Sequence, residues 1–232
     1  MFIGHFAVAL AAKRAAPRIS LGTLFLAAQL ADLVWPTLVL MGLETVEIRP
    51  GITAVSPFDF IHYPYSHSLV ALSAWGAALA VVYRLARRSG VWEAAILPVV
   101  VLSHWILDVA SHRPDMPLTI AGPERLGFGL WNSVTATIAI EFALFGIGLV
   151  LYVISTRARD RTGSVTFWSL VVFLSITYIA SVFGPPPPSP PAVAWGAQSV
   201  WFLVAWGYWI DRHRESVSTW LSTPEAIRPA RW

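Results

Sequence analysis

The sequence predicts an all-α fold, a polytopic transmembrane helical bundle of about seven helical segments with a short first one, and three observations predict it. Its 232 residues are 56% hydrophobic and only 12% charged, a balance that does not describe a water-facing globule. Several apolar stretches reach or approach the ~20 residues that a helix needs to cross a ~30 Å hydrocarbon core. The short segments between them hold almost every Lys and Arg.

In chain order, the first helix is expected at roughly 2 to 12, too short to span comfortably and closed by Lys13 and Arg14. Lys13, Arg14 and Arg18 precede the next apolar run as a signal peptide's basic region would, but the run is read as a retained spanning helix over 20 to 41. A helix over 67 to 87 starts after Pro64, with the Ser66 hydroxyl available as its cap. The next, 91 to 111, is stopped by Pro114 and Pro117. Three more follow at 131 to 155, 165 to 183 and 192 to 210, the last two joined by the stiff run Gly184 to Pro191. Residues 1–132 are read as a metal-site membrane domain, 133–211 as further helices of the same bundle and 212–232 as a cytoplasmic tail.

Basic residues alternate between loops. One set of loops holds Lys13, Arg14, Arg18, Arg84, Arg87, Arg88, Arg157, Arg159, Arg161 and the basic tail; the other holds Arg49, Arg113 and Arg125 among Glu44, Glu47, Asp59, Asp115 and Glu124. By the positive-inside rule the first set is cytoplasmic, which predicts a multi-pass protein of the cell (inner) membrane with its N-terminus outside and C-terminus inside. The net charge of +3 belongs to this topology, with the lipid bilayer as partner and no nucleic acid.

Five of the six histidines, His5, His62, His67, His104 and His112, then fall at or near the outer face. The positive-inside rule counts only Lys and Arg, so the histidines gather there independently of it. His104, Asp108 and His112 follow at intervals of four, so consecutive pairs share a helix face, a spacing that suits a metal ligand pair or a simple mutual hydrogen bond. Gln29 and Asp32 lie three apart in an apolar helix, where an ionisable group costs ~2.5–3.5 kcal/mol on insertion scales and is seldom idle. Cysteine is absent, so any metal must be held by His, Asp and Glu. His62 and His67 flank a proline-bent helix start, with Ser68 following. Arg113 is placed to meet an anionic substrate group or to anchor the interface. Asp115 and Glu141 are candidates for acid–base work, and Glu141 equally for helix packing.

Gly4-His5, Asp32, His62 with His67-Ser68, and Ser103-His104 with Asp108 together resemble the bacterial membrane-bound metal-dependent hydrolases, a family likened to zinc-dependent phospholipase C. The likeness covers roughly residues 1 to 132. The family's Asp-x-Asp-His is here Gln29-Ala-Ala-Asp32, and its Arg-Gly after the first histidine of the His-x4-His element is Tyr63-Pro64. The resemblance implies a metal site. The expected ligands are His5, Asp32, His67, His104 and Asp108, with His62 as a further candidate, around one or two divalent metals, zinc first and manganese or iron admitted. Gln29, Ser68, His112 and Arg113 are the expected substrate contacts. Hydrolysis of an ester or phosphoester in a lipid-like or small-molecule substrate is the expected function, with Asp115 or Glu141 relaying the proton. A proton-coupled carrier and a scaffold with a vestigial metal site are the rival readings.

Overall fold

The innermost helix, α1 (Ile3–Ala15), is the short first segment, with Ile3, Phe6, Ala9 and Leu10 almost wholly enclosed. Its 13 residues are too few to cross a membrane alone, and they do not have to face lipid, because other helices surround them. The computed structural model describes residues 1–217, most of them helical. Residues 218–232, most of the expected tail, lie outside the described residues.

Against α1 runs α7 (Val134–Ser155). A Cβ on Gly148 would sit 2.5 Å from the carbonyl oxygen of Ala7 and 2.8 Å from its Cα, so only glycine lets these backbones approach as they do.

The helix expected over 20 to 41 is in fact two, α2 (Leu21–Ala28) and α3 (Leu30–Leu40), bent by 54° at Gln29. The cause is a side chain in the backbone ladder: the Ala28 carbonyl, which would accept from the Asp32 N–H in a continuous helix, accepts instead from His104 Nδ1–H at 2.8 Å.

After α3 the chain forms an antiparallel hairpin, β1 (Thr45–Ile48) with β2 (Phe58–His62), Glu47 facing Asp59. The single helix start expected near Ser66 is split into α4 (Pro64–His67) and α5 (Leu69–Arg87). The capping oxygen is that of Ser68, which accepts from Ala71 N–H at 3.1 Å. α5 pairs with α6 (Val91–Ser111), which stops at His112 before Pro114. A two-residue ladder, β3 (Met116–Pro117) with β4 (Arg125–Leu126), leads back to α7.

α8 (Arg161–Phe183) starts on the Asp160 cap, and the expected last helix is again two, α9 (Pro190–Ala197) and α10 (Val200–Arg212). β5 (Thr156–Ala158) then pairs with β6 (Arg214–Ser216). Four helices, α5, α6, α7 and α8, are long and apolar enough to cross a membrane, and the bent pair α2–α3 makes up to five.

The bundle has two chemically distinct ends. At one, α1 and α7 begin and α6 and α8 finish, beside the β1–β2 hairpin. At the other, the buried Lys13 ammonium donates to the Ile19 carbonyl at 2.8 Å and to Asp211 at 3.1 Å. There Arg214 lies over the rings of Phe167 and Tyr152, and Ser216 Oγ donates to the Pro17 carbonyl at 2.9 Å.

Candidate metal centre

Two groups of side chains that can hold a metal ion lie at the first end, His5–His104–Asp108 and Asp32–His67–His104, sharing His104; within each, the ligand atoms lie within 4.8 Å of one another. Each element contributes for a local reason. His104 and Asp108 share a face of α6 at the expected spacing. The bend at Gln29 places Asp32 in the first turn of α3. α1 brings His5 so that its ring stacks on that of His104, with centroids 3.8 Å apart and planes within 6°. α4 carries His67, whose ring centroid is 5.4 Å from that of His104.

The hydrogen bonds fix which ring nitrogens are free. His104 gives its Nδ1–H to Ala28, so its Nε2 carries the lone pair. The Ser66 hydroxyl donates to Glu44 at 2.6 Å and therefore accepts from His67 Nδ1–H at 2.7 Å, leaving the His67 Nε2 lone pair free. Glu44 also accepts from the Tyr65 and Ser66 N–H groups at 2.8 and 2.9 Å.

Both lone pairs face carboxylates. His67 Nε2 is 3.5 Å and His104 Nε2 3.9 Å from Asp32, and His104 Nε2 is 3.1 Å from Asp108, yet this buried nitrogen has no aligned hydrogen bond. Buried lone pairs and carboxylate oxygens repel unless a proton or a cation lies among them. Imidazole plus carboxylate, with Nδ1–H tied to a carbonyl or a hydroxyl–carboxylate pair, is the donor set and outer shell of zinc, manganese or iron sites, so the residues fit a divalent metal. Asp108 further contacts the Met1 amino group and lies 3.1 Å from His5 Nε2.

The other expected residues divide clearly. Glu141 accepts from the N–H groups of Phe2 and Gly4 at 2.9–3.1 Å, holding the start of α1. His112 donates Nδ1–H to Asp115 at 2.9 Å, and its ring packs 4.2 Å from that of Trp131. Asp115 also accepts from Arg113 Nε and the Tyr63 hydroxyl at 3.1 Å each. Burial and this carboxylate push the Tyr63 phenol well above its ordinary pKa, so it remains the donor. Arg113 is engaged by Asp59 as well as Asp115, and Asp59 is also held by Arg49 at 2.8 Å. Gln29 is buried with its Oε1 unpartnered. Ser68 is spent on the α5 cap. His62 ends β2 exposed, its ring against Tyr65 at 5.9 Å, and belongs to neither group.

Glu44 and Ser66 were not anticipated as site residues. Glu44 is 22 residues from its partner, with no periodic relation to it.

A cavity of about 760 Å³ opens on the centre, lined there by Asp32, His67, Asp108, His112 and Glu141. Residues of the β1–β2 loop (50–57), Phe58 and Pro185–Pro187 also line it.

Fold and site together define a helical membrane protein with buried His/Asp groups able to hold a metal ion. Set against family profiles, curated proteins and solved structures, the chain finds no match.

Proposed function

We propose that the protein is a membrane-embedded, metal-dependent hydrolase, acting at the extracytoplasmic face on an ester or phosphoester of a lipid-like substrate. The observation that carries this reading is the pair of His/Asp groups sharing His104, whose Nε2 is buried, unpartnered and directed at two carboxylates. His5, Asp32, His67, His104 and Asp108 would hold one or two divalent ions, zinc first by donor type. Such an ion supplies Lewis acidity toward water and toward the oxygen of the scissile bond.

The chain's own residues supply the rest. Asp32, one-third exposed, faces the cavity and so meets the substrate side of the centre. His112 lines the same cavity with Asp115 fixing its ring, which makes it the group placed to move a proton; Asp115 acts through it. Glu141 positions α1 and with it His5. The basic end, with Lys13, Arg84, Arg87 and Arg161, would lie in the cytoplasm, and the polyproline run and the β1–β2 hairpin outside.

The test is elemental analysis of detergent-purified protein beside a His104→Ala/Asp108→Ala double variant that still folds. Near-stoichiometric zinc, manganese or iron that disappears in the variant supports the reading. Metal-free wild type that also refuses added zinc overturns it.

A further inference from the structure

The cavity continues well beyond the metal centre. Its far wall is built by the second half of α8 and the start of α10, including Thr177, Ala180, Val200 and Leu203. These helices meet at Trp206, whose indole N–H donates to the Thr166 carbonyl at 3.1 Å and whose ring lies 5.8 Å from that of Phe173. On the outer side of that contact a trough remains, with Phe173 (45%) and Phe202 (76%) exposed among its lining residues. Because α8 is one of the candidate spans, that exposed side would face hydrocarbon.

The chemistry of the trough selects its occupant. Among the described residues no Lys or Arg lines the cavity, so this wall offers no counter-charge to an anionic chain. Hydroxyls on this wall are those of Thr177, Tyr178, Ser181 and Ser199, that of Ser181 is spent on the Tyr178 carbonyl at 2.7 Å, and the residues around them are mostly apolar. Two lining side chains more than nine-tenths buried, Gln29 and Tyr178, end in polar atoms without a partner, Oε1 and the phenol oxygen. Tyr178 belongs to the wall helix α8, and Gln29 stands at the bend that carries Asp32, so the two mark the edges across which a polar linkage would sit.

We infer that the trough binds one acyl chain of an ester-linked lipid, entering sideways from the bilayer past Phe173 and Phe202, with its ester carbonyl accepting from the Tyr178 phenol and its head at Asp32, His67 and His104. This deepens the hydrolase reading and rests on it for the placement of the head. The apolar burial of the chain supplies affinity, and the polar junction sets how deep the head group reaches.

The experiment is photolabelling in vesicles of phosphatidylethanolamine and phosphatidylglycerol, doped with a phosphatidylcholine that carries a diazirine at the end of one acyl chain. Adducts are mapped by mass spectrometry in wild type and in Ala180→Trp, which fills the trough; Val200→Trp is the second variant should the first fail to fold. The expected result is adducts concentrated on the trough-facing residues of α8 and α10, reduced about tenfold by the filling variant, the size of effect that overpacking produces. A prenyl phosphate bearing the same diazirine is expected to label the trough less. Labelling spread evenly over α5 and the outer faces, or unchanged in both tryptophan variants, or equal for the prenyl probe, overturns the proposal. Zinc content is read on the same samples: trough labelling in a protein that takes no zinc removes the hydrolase reading and leaves a lipid-binding protein, whereas bound zinc without trough labelling removes only the tail site.

Discussion

The imidazole of His104 and the carbonyl of Ala28, 76 residues apart in the chain, are joined by a 2.8 Å hydrogen bond that both bends an apolar helix and aims a candidate metal ligand. One contact sets the path of α3, which carries Asp32, and the free nitrogen that faces Asp32. His104→Ala is therefore expected to do more than delete a ligand. It leaves the Ala28 carbonyl without its donor, and the metal-free protein should lose ~1–3 kcal/mol, the cost of an unsatisfied buried acceptor. Thermal unfolding in chelator measures this; an unchanged midpoint would show that the bend stands without His104.

Glu44 acts on the centre through Ser66. Glu44→Gln and Ser66→Ala each break the chain that keeps Nδ1–H on His67, and each should weaken metal binding by ~10–100-fold, as losses of outer-shell partners do. Glu44→Asp should restore part of it. Zinc affinity by competition with a chromophoric chelator checks the order wild type, then Glu44→Asp, then Glu44→Gln.

Gly148 permits the contact between α1 and α7. Gly148→Ala places a methyl carbon 2.5 Å from the Ala7 carbonyl oxygen, a backbone atom that cannot rotate away, so ~1–3 kcal/mol of stability should be lost. Gly146 has open space at the same test, and Gly146→Ala serves as the control with little or no loss. Equal melting midpoints for the two variants would refute the close approach.

At the opposite end, hydrogen bonds from His213 at 2.7 Å and from the Gly163 N–H hold the Asp160 carboxyl below its ordinary pKa. A depressed folded-state value means that the carboxylate's contribution is full above the unfolded value of ~3.9 and is lost as pH falls through the folded one. The gap in melting temperature between wild type and Asp160→Ala should thus be constant at neutral pH and close only below about pH 4. A gap that narrows already between pH 8 and 6 would contradict the assignment to Asp160.

Local rules made part of this site readable. The four-residue interval between His104 and Asp108 needs only helical geometry, and both do lie on one face of α6. Asp32 stood out because a carboxylate in an apolar helix demands a partner. His62 shows where the same reasoning stops: five residues from His67 across Pro64, its side chain depends on how β2 ends, and the pairing of Thr45 with His62 leaves it outside. Glu44, Glu141 and the Ala28 carbonyl act across 22 to 139 residues, through contacts that no periodicity encodes. The breaks at Gln29 and Gln198 were equally hidden, because apolar runs flank both and no proline falls at either break.

Enclosing α1 at the heart of the bundle has a consequence for biogenesis. At 13 residues α1 is too short to be held by lipid on its own, and Glu141, which grips its first turn, is made more than a hundred residues later. Until α7 has entered the membrane, His5 has no fixed place beside His104. The centre thus matures late, and any ion it takes would be drawn from whichever compartment bathes the finished protein, so the metal supply there, and not the supply at the ribosome, would decide what it carries.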